Sequence, residues 1–201
     1  MMDSTSLDRY CAVIFDMDGT LVDSVAPHLD AWEIICKRYG YPCERDFLMS
    51  LSGVPTTGTV EILNQRFDMT HPVVQVASEK EAIFLSMCQQ PRRIDPMYHI
   101  LLAQHRIKPV AVGTGASRVH AIAQLQSLDI LPRLSALVTA CDVTHGKPHP
   151  ETFLKAAHQM DIAPSDCIVF EDTAIGMRAA AAAGMDCYRV DNGVVVDFVK
   201  A

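Results

Sequence analysis

The segment Asp16-Met-Asp-Gly-Thr20 contains two acidic side chains whose spacing suggests chemistry. It follows Ala12-Val-Ile-Phe15, an apolar run without helical periodicity that is typical of a buried parallel strand. Residues i and i+2 of a strand point to the same side, roughly 7 Å apart along the chain. We therefore expect Asp16 and Asp18 to face one reacting group at the carboxyl end of the strand, where open α/β sheets bind ligands.

Two adjacent carboxylates repel each other unless a cation joins them, and Mg2+ prefers oxygen ligands together with substrate phosphates. One carboxylate could attack phosphorus and form an aspartyl phosphate. The other could protonate the leaving oxygen and later activate water. Alone, the motif also fits an ordinary polar turn after a strand, because Asp and Gly are common in turns.

Polar residues also follow three later apolar runs that we predict to be strands. Thr114 and Gly115 open a helix, where a hydroxyl and accessible backbone N–H groups can cradle an anion. Lys147 lies in the loop after the third predicted strand, and Glu171 and Asp172 follow the fourth. Each motif alone also fits a turn, an exposed loop charge or a helix cap. Together the four strand ends predict a site for a metal ion and a phosphate group.

The elements that must position these residues alternate from about residue 96 onward. The predicted strands cover 109–112, 136–139, 167–170 and 186–190, and the predicted helices cover 97–105, 117–127, 150–160 and 173–183. In the second of these helices, Val119, Ile122 and Leu125 are in register at helical spacing. Strands that alternate with helices indicate βαβ units and a parallel sheet. We therefore predict a three-layer, doubly wound α/β fold of the Rossmann-like kind, with an ambiguous tail at 193–201.

Residues 22–95 have a different character, because every predicted element there is helical. Apolar residues recur at helical spacing over 24–39, 56–67 and 72–89, with a shorter helical piece at 44–51. This pattern predicts a small helical bundle inserted after the first strand. The predicted domains are an α/β core of residues 1–21 and 96–201 and a helical cap of residues 22–95.

Composition narrows the class of protein. The chain has 201 residues and a net charge of -7, without a Lys/Arg run that would suggest nucleic-acid binding. It contains no apolar stretch near the ~20 residues that a membrane span requires. Its seven scattered cysteines form no Cys-x-x-Cys pair, and its N-terminus lacks a cationic-then-apolar leader. We therefore expect a cytoplasmic protein with reduced thiols, no membrane or nucleic-acid partner, and a monomeric state.

The four polar motifs, in this order, resemble the signature motifs of the haloacid dehalogenase superfamily of phosphotransferases. The resemblance spans nearly the whole chain. The insertion point of the helical segment is similar to that of the cap in the β-phosphoglucomutase-like branch, and the stretch Phe170-Glu-Asp-Thr-Ala-Ile-Gly-Met-Arg-Ala-Ala180 supports that placement. The stretch Pro109-Val-Ala-Val-Gly-Thr-Gly115 resembles small bacterial phosphatases of fructose 1-phosphate and 6-phosphogluconate.

The resemblance implies a role for each motif. It makes Asp16 the nucleophile and Asp18 the general acid and base. Thr114, Gly115 and Lys147 would hold the transferring phosphoryl group. The resemblance also implies a Mg2+ site formed by Asp16, the backbone carbonyl of Asp18 and Asp172, with Glu171 nearby or bound through water. The acid at Asp18 argues against dehalogenation, since that reaction has no leaving oxygen to protonate.

The cap distinguishes a phosphatase from a mutase. Mutases of this branch carry a Lys-Gly-x-x-Arg stretch, whereas the matching stretch here, Ser52-Gly53-Val54-Pro55-Thr56, has neither cation. This favours a phosphatase acting on a small phosphorylated sugar or sugar acid, with Ser52, Gly53 and Thr56 near the sugar. His28 could contact the leaving group, or it could be a core histidine. The alternatives are a phosphosugar mutase and a phosphate-accepting signalling or binding module.

Overall fold

The computed structural model describes residues 7–87 and 90–201. The N-terminal residues used to argue against a leader, 1–4, and the end of the predicted 72–89 helix, residues 88–89, lie outside these ranges. The chain divides into two compact units. The first, here called the α/β unit, comprises Met1–Asp23 and Pro91–Ala201, and the second, called the helical unit, comprises Ser24–Gln90.

A six-stranded sheet forms the centre of the α/β unit. The strands are β1 (Ala12–Phe15), β2 (Val110–Gly113), β3 (Ala136–Val138), β4 (Cys167–Glu171), β5 (Asp186–Asp191) and β6 (Val194–Val199). Their order in the sheet is β3-β2-β1-β4-β5-β6, and only the β5–β6 pairing is antiparallel. Because β1 pairs with β2 on one side and with β4 on the other, the strand before Asp16 lies at the centre of the sheet.

Eight α-helices accompany the sheet within the described ranges. They are α1 (Val25–Tyr39), α2 (Arg45–Ser50), α3 (Thr56–Arg66), α4 (Val73–Met87), α5 (Asp95–Gln104), α6 (Arg118–Ser127), α7 (Glu151–Gln159) and α8 (Ala174–Ala182). Helices α1 to α4 belong to the helical unit, and α5 to α8 belong to the α/β unit. None of the helices described here is long and apolar enough to cross a membrane.

Both faces of the sheet are covered, which makes three layers. Successive side chains of a strand point to opposite faces. Accordingly, Phe15 of β1 belongs to a hydrophobic cluster with Leu101 of α5 and Leu125 of α6. Ile14 belongs to a second cluster with Phe153 of α7 and residues of α8. The predicted doubly wound α/β class with an inserted helical bundle is therefore confirmed.

The helical unit has a hydrophobic cluster of its own. Helix α1 contributes Leu29, Trp32 and Ile35, which recur at helical spacing and are buried. Leu63 of α3 and Val76 of α4 complete the centre of this cluster. The periodicity that predicted these helices therefore also identified the side chains that hold them together.

Two details differ from the sequence analysis. The ambiguous tail forms β6, joined to β5 by Asn192 and Gly193 at φ 47° and 78°. Asn-Gly is the preferred sequence for such a two-residue hairpin turn, so this signal was present and was missed. Val119 does not share the buried face of α6 that its register with Leu125 indicated, because Val119 is 80% exposed whereas Leu125 is buried. His120 and Gln124 occupy the buried face of α6 instead, with their side chains in contact.

Candidate active site

Asp16 is the residue that directly follows β1. Its backbone N–H donates to the carbonyl of Phe170 at 2.9 Å, which continues the pairing of β1 with β4 by one residue. Its side chain is buried. The strand itself stops at Phe15, so strand alternation does not place Asp18 as the sequence analysis assumed.

A tight turn positions Asp18 instead. The amides of Leu21 and Val22 both donate to the carbonyl of Met17 at 2.9 Å. Gly19 has φ 84°, a left-handed conformation that favours glycine, and its N–H donates to the carbonyl of Val22. Met17 is fully buried, whereas Asp18 is half-buried. The turn therefore anchors the segment through Met17 and leaves Asp18 partly open to solvent.

Lys147 lies in the loop between β3 and α7, and its ammonium group is enclosed by carboxylates. Its Nζ donates to Oδ1 of Asp16 at 2.5 Å and to Oε2 of Glu171 at 2.7 Å. The Lys147 side chain is only 2% exposed. Burial lowers the pKa of Lys147, but the charges of Asp16 and Glu171 outweigh it and raise the pKa above its ordinary value. The lysine therefore stays protonated.

Glu171 is the last residue of β4 and is fixed by both of its oxygens. While Oε2 accepts from Lys147, Oε1 accepts the N–H and the hydroxyl of Thr173 at 3.0 and 2.7 Å. Thr173 in turn caps α8, since its hydroxyl accepts the N–H of Gly176. The Glu171 side chain thus connects Lys147 to the start of α8.

Gly176 is a requirement that the sequence analysis missed. A Cβ atom at this position would lie 1.9 Å from Oε2 of Glu171, far inside van der Waals contact. Only glycine leaves room for the carboxylate against α8. A glycine in the first turn of an alanine-rich helix was the available signal, because glycine is otherwise unfavourable there.

Three carboxylates form a compact acidic cluster. One oxygen each from Asp16, Glu171 and Asp172 lies within 4.8 Å of the others. Asp172 also accepts a hydrogen bond from the hydroxyl of Thr20 at 3.2 Å. Burial and then the charge of Glu171 raise the pKa of Asp172 to about 8, and the same causes raise the pKa of Asp16 well above its ordinary value. When all three carboxylates are ionised, Lys147 offsets only one of their three negative charges.

These residues fit a hard divalent cation. All the donors are carboxylate oxygens, the ligand type that Mg2+ prefers, and they lie close enough together to share one ion. The second group that could bind a metal in the described ranges, His145, His149 and Glu151, has a different donor chemistry.

Thr114 and Gly115 follow β2, the neighbour of β1 in the sheet. The Thr114 side chain is buried, and its hydroxyl accepts the N–H of Ala116 at 3.0 Å. Its own N–H donates to the carbonyl of Val138 at the end of β3, while Gly115 is exposed. Thr114 thus lies at the same sheet edge as Asp16, one strand away.

The remaining predicted residues belong to the helical unit. Ser52 and Gly53 lie in the turn after α2, and Thr56 begins α3. His28 of α1 stacks on Phe84 with ring centroids 3.8 Å apart, and its Nδ1 lies 2.5 Å from Nζ of Lys80. Lys80 is 3% exposed and was missed by the sequence analysis, since a lysine on an amphipathic helix is ordinarily exposed.

Comparison with known proteins agrees with this geometry. The family model described as haloacid dehalogenase-like hydrolase matches residues 13–190, a range that contains every predicted site residue. The chain belongs to this family. As a haloacid dehalogenase-like hydrolase, it has the α/β fold on which Asp16, Lys147 and Asp172 are brought together.

Two relatives and one solved structure show which members of the family this chain is similar to. The chain is 35% identical over 183 residues to the fructose-1-phosphate phosphatase YqaB of Escherichia coli K12, covering 91% of this chain and 97% of the relative. It is 28% identical to the β-phosphoglucomutase of Bacillus subtilis, covering 90% and 84%. The crystal structure of β-phosphoglucomutase from Clostridium difficile superposes with a TM-score of 0.79 at 25% identity, covering 90% of this chain and 84% of that one.

Proposed function

We propose that this haloacid dehalogenase-like hydrolase is a Mg2+-dependent phosphatase that hydrolyses small sugar phosphates through an aspartyl-phosphate intermediate. The observation that carries the proposal is the contact of one buried lysine with two of three clustered carboxylates. Phosphoryl transfer depends mainly on positioning and charge neutralisation, and this arrangement supplies both. The relatives that act on phosphorylated sugars support the substrate class.

In the first half-reaction, a carboxylate oxygen of Asp16 attacks phosphorus, and the bond from phosphorus to the sugar oxygen breaks. Asp18 donates its proton to that oxygen, so the sugar leaves as a neutral alcohol. Lys147 holds an oxygen of the transferring group, with Thr114 and Gly115 as further donors. Lys147 must then exchange part of its contact with Asp16 for contact with the phosphate.

In the second half-reaction, Asp18 removes a proton from water, and the resulting oxygen attacks phosphorus. The bond from phosphorus to Asp16 breaks, which releases inorganic phosphate and restores the free carboxylate. Asp16, Asp172 and Glu171 would hold Mg2+ together with the backbone carbonyl of Asp18. When bound, the ion neutralises the charge that otherwise keeps phosphate away from this acidic cluster.

We assign substrate selection to the helical unit, through His28 and the residues Ser52, Gly53 and Thr56. A phosphosugar mutase remains the second candidate because the β-phosphoglucomutase of Bacillus subtilis is a relative over most of its length. The absence of cations between Ser52 and Thr56 favours the phosphatase, since a mutase must hold a second phosphate.

The six described cysteines are free thiols, which supports a cytoplasmic location.

The decisive experiment measures phosphate release from a panel of sugar phosphates with Mg2+ and repeats it with a chelator. We expect Mg2+-dependent release from at least one sugar monophosphate and none with chelator. Conversion of a sugar 1-phosphate into its 6-phosphate without phosphate release would instead identify a mutase. Phosphorylation of the protein without turnover would identify a signalling module.

The covalent intermediate has its own test. Borohydride reduces an acyl phosphate, so protein quenched during turnover should carry a reduced residue at position 16 in a peptide mass spectrum. Asp16→Asn should remove turnover and leave the circular dichroism spectrum unchanged. Wild-type activity in this variant would refute the assignment of the nucleophile.

A further inference from the structure

A second group of potential metal ligands lies in the loop that carries Lys147. His145 and His149 stand two residues before and two residues after Lys147, and Glu151 begins α7. One donor atom from each of the three lies within 4.8 Å of the others. The two histidines are exposed, whereas Lys147 between them is buried. The loop therefore presents its imidazoles to solvent and its lysine to the acidic cluster.

The distances suit a transition-metal ion. Nδ1 of His145 lies 3.5 Å from Oε2 of Glu151, and the two imidazole centroids are 4.8 Å apart. Ligand bonds of about 2.0–2.2 Å separate neighbouring donor atoms by roughly 3.4 Å in a tetrahedral site and by roughly 3.0 Å in a square-planar or octahedral site. The His145–Glu151 pair already lies near these spacings, and the exposed His149 has a donor atom within 4.8 Å of both.

Glu151 is held in place as an anion. Its two oxygens accept the backbone N–H groups of Thr144 and His145 at 3.0 Å each, and Lys155 lies 3.2 Å from Oε1. These hydrogen bonds lower the pKa of Glu151 to about 2. Nδ1 of His149 accepts the N–H of Glu151 at 3.3 Å, a long hydrogen bond that is easily exchanged. The most constrained ligand is therefore also the charged one.

We propose that His145, His149 and Glu151 form a second metal site, which binds an imidazole-preferring divalent ion such as Ni2+ or Zn2+. Its donor set separates it from the acidic cluster. Two imidazoles and one carboxylate suit borderline transition ions, whereas the all-carboxylate cluster suits Mg2+. The two sites should therefore be filled by different ions from the same solution.

An ion at this second site would connect both ends of the Lys147 loop. It would bond residues 145 and 149 to the first turn of α7, so the backbone on each side of Lys147 would be restrained. The ion would also stabilise the folded chain by mass action, since the unfolded chain does not hold the three ligands together. This consequence is independent of the reaction that the protein catalyses.

The test is a calorimetric titration of the untagged full-length protein with Ni2+, in excess Mg2+ to occupy the acidic cluster. Ni2+ is preferred to Zn2+ as the probe because it competes less well for thiolates. We expect one Ni2+ site and a Ni2+-dependent rise in Tm. The variant H145A/H149A should lose the Ni2+ site and the Ni2+-dependent rise in Tm. The variant H145Q/H149Q should lose them as well. His158→Ala is the matched control, since His158 is exposed on α7 and outside the group.

Three outcomes would overturn the proposal. The wild-type protein could bind no Ni2+ in excess Mg2+, the double variants could bind it as the wild type does, or His158→Ala could lose it equally. Because the readouts are metal binding and Tm, a failure here is distinct from a failure of the phosphatase assignment.

Discussion

At the scale of single residues, Lys147 makes the buried carboxylates of Asp16 and Glu171 compatible with folding. A carboxylate removed from water is costly unless it is paired and hydrogen-bonded. Lys147 contacts both, and its own charge is maintained by them. The same ammonium group is available to a phosphate oxygen, so one residue serves the stability of the site and its proposed reaction.

We predict that Lys147→Ala lowers kcat/KM for the best sugar phosphate by about 100-fold or more, as for loss of a donor that stabilises the transition state. The fold should persist, because Asp16 and Asp172 can take up protons when the neighbouring positive charge is lost. Steady-state phosphate release and a thermal melt measure both effects. The exposed Lys37→Ala is the control and should match wild type. A loss below ~10-fold in Lys147→Ala would count against the role of this lysine.

Asp172 predicts how stability depends on pH. Its pKa in the folded protein is about 8, against an ordinary value of 3.8. Between these values the folded state binds more protons than the unfolded state, so the free energy of unfolding falls as the pH rises. We therefore expect the Tm of Mg2+-free protein to fall from about pH 5 to about pH 8. Added Mg2+ should raise Tm most at the upper end, where its ligands are ionised.

Asp172→Asn should flatten this pH dependence, leaving the part contributed by Asp16, whose pKa is raised in the same direction. The control is Asp161→Asn. Asp161 is exposed and has φ 56°, a conformation that asparagine also adopts readily. An Asp172→Asn protein with the wild-type slope would show that this carboxyl titrates normally.

The sequence predicts which acidic residues come together in the site more reliably than it predicts the packing of the side chains around them. Asp16 follows β1, and Glu171 and Asp172 lie at the end of the adjacent parallel strand β4, so all three share the carboxyl edge of the sheet. The burial of Lys80 beside His28 depends on side chains that are 52 positions apart in the sequence. No local pattern encodes contacts of that kind.

At the scale of elements, the junction between β4 and α8 sets the position of Glu171. The strand ends on the carboxylate, Thr173 binds it and caps the helix, and Gly176 leaves space for it in the first turn. Helix α8 is therefore joined to the acidic cluster by hydrogen bonds and by close packing. A change in the first turn of α8 should move Glu171 and thereby displace Lys147, which contacts it.

We predict that Gly176→Ala lowers kcat/KM by about 10- to 100-fold, since small displacements of positioned groups have effects of that size. Replacing a helical glycine with alanine ordinarily stabilises a protein by about 0.4–1 kcal/mol. Here the added methyl group overlaps the Glu171 carboxylate, so we expect destabilisation of about 1–3 kcal/mol instead. Chemical denaturation and steady-state kinetics measure the two quantities.

The control for Gly176→Ala is Ala181→Gly, at an exposed position of the same helix. It should destabilise the protein by about 1 kcal/mol through helix propensity and leave kcat/KM unchanged. A Gly176→Ala protein that is more stable than wild type and fully active would contradict the packing argument.

Helices with a clear apolar stripe were predictable, and α1 shows why. Leu29, Trp32 and Ile35 are large, regularly spaced and buried. Helix α6 was predicted at 117–127 as well, but its buried face includes His120 and Gln124, whose side chains contact each other. A periodicity argument counts apolar residues and therefore assigned Val119 to the wrong face. A polar pair buried inside a core, such as His120 and Gln124, has no signature in the hydrophobic pattern.

At the scale of the whole molecule, the chain consists of two units that each have a hydrophobic cluster. The α/β unit closes on itself where the helical unit is inserted. The N–H of Asp23 donates to the carbonyl of Arg92 at 2.9 Å, and Val22 pairs with Arg93. The acidic cluster, Lys147 and Thr114 all belong to the α/β unit. The helical unit can therefore be removed at its two boundaries, Asp23/Ser24 and Gln90/Pro91, to separate the proposed substrate selection from the proposed chemistry.

We predict that replacing residues 24–90 by a short Gly/Ser linker leaves an α/β unit with Mg2+-dependent activity towards an unselective ester such as p-nitrophenyl phosphate. Differences in kcat/KM among sugar phosphates should shrink strongly, because His28, Ser52 and Thr56 are removed while Asp16 and Lys147 remain. The linker need span only a short gap, given the Asp23–Arg92 hydrogen bond. Circular dichroism tests folding, and the same excision carrying Asp16→Asn is the inactive control. If the excised protein ranked sugar phosphates as the full chain does, selectivity would reside in the α/β unit itself.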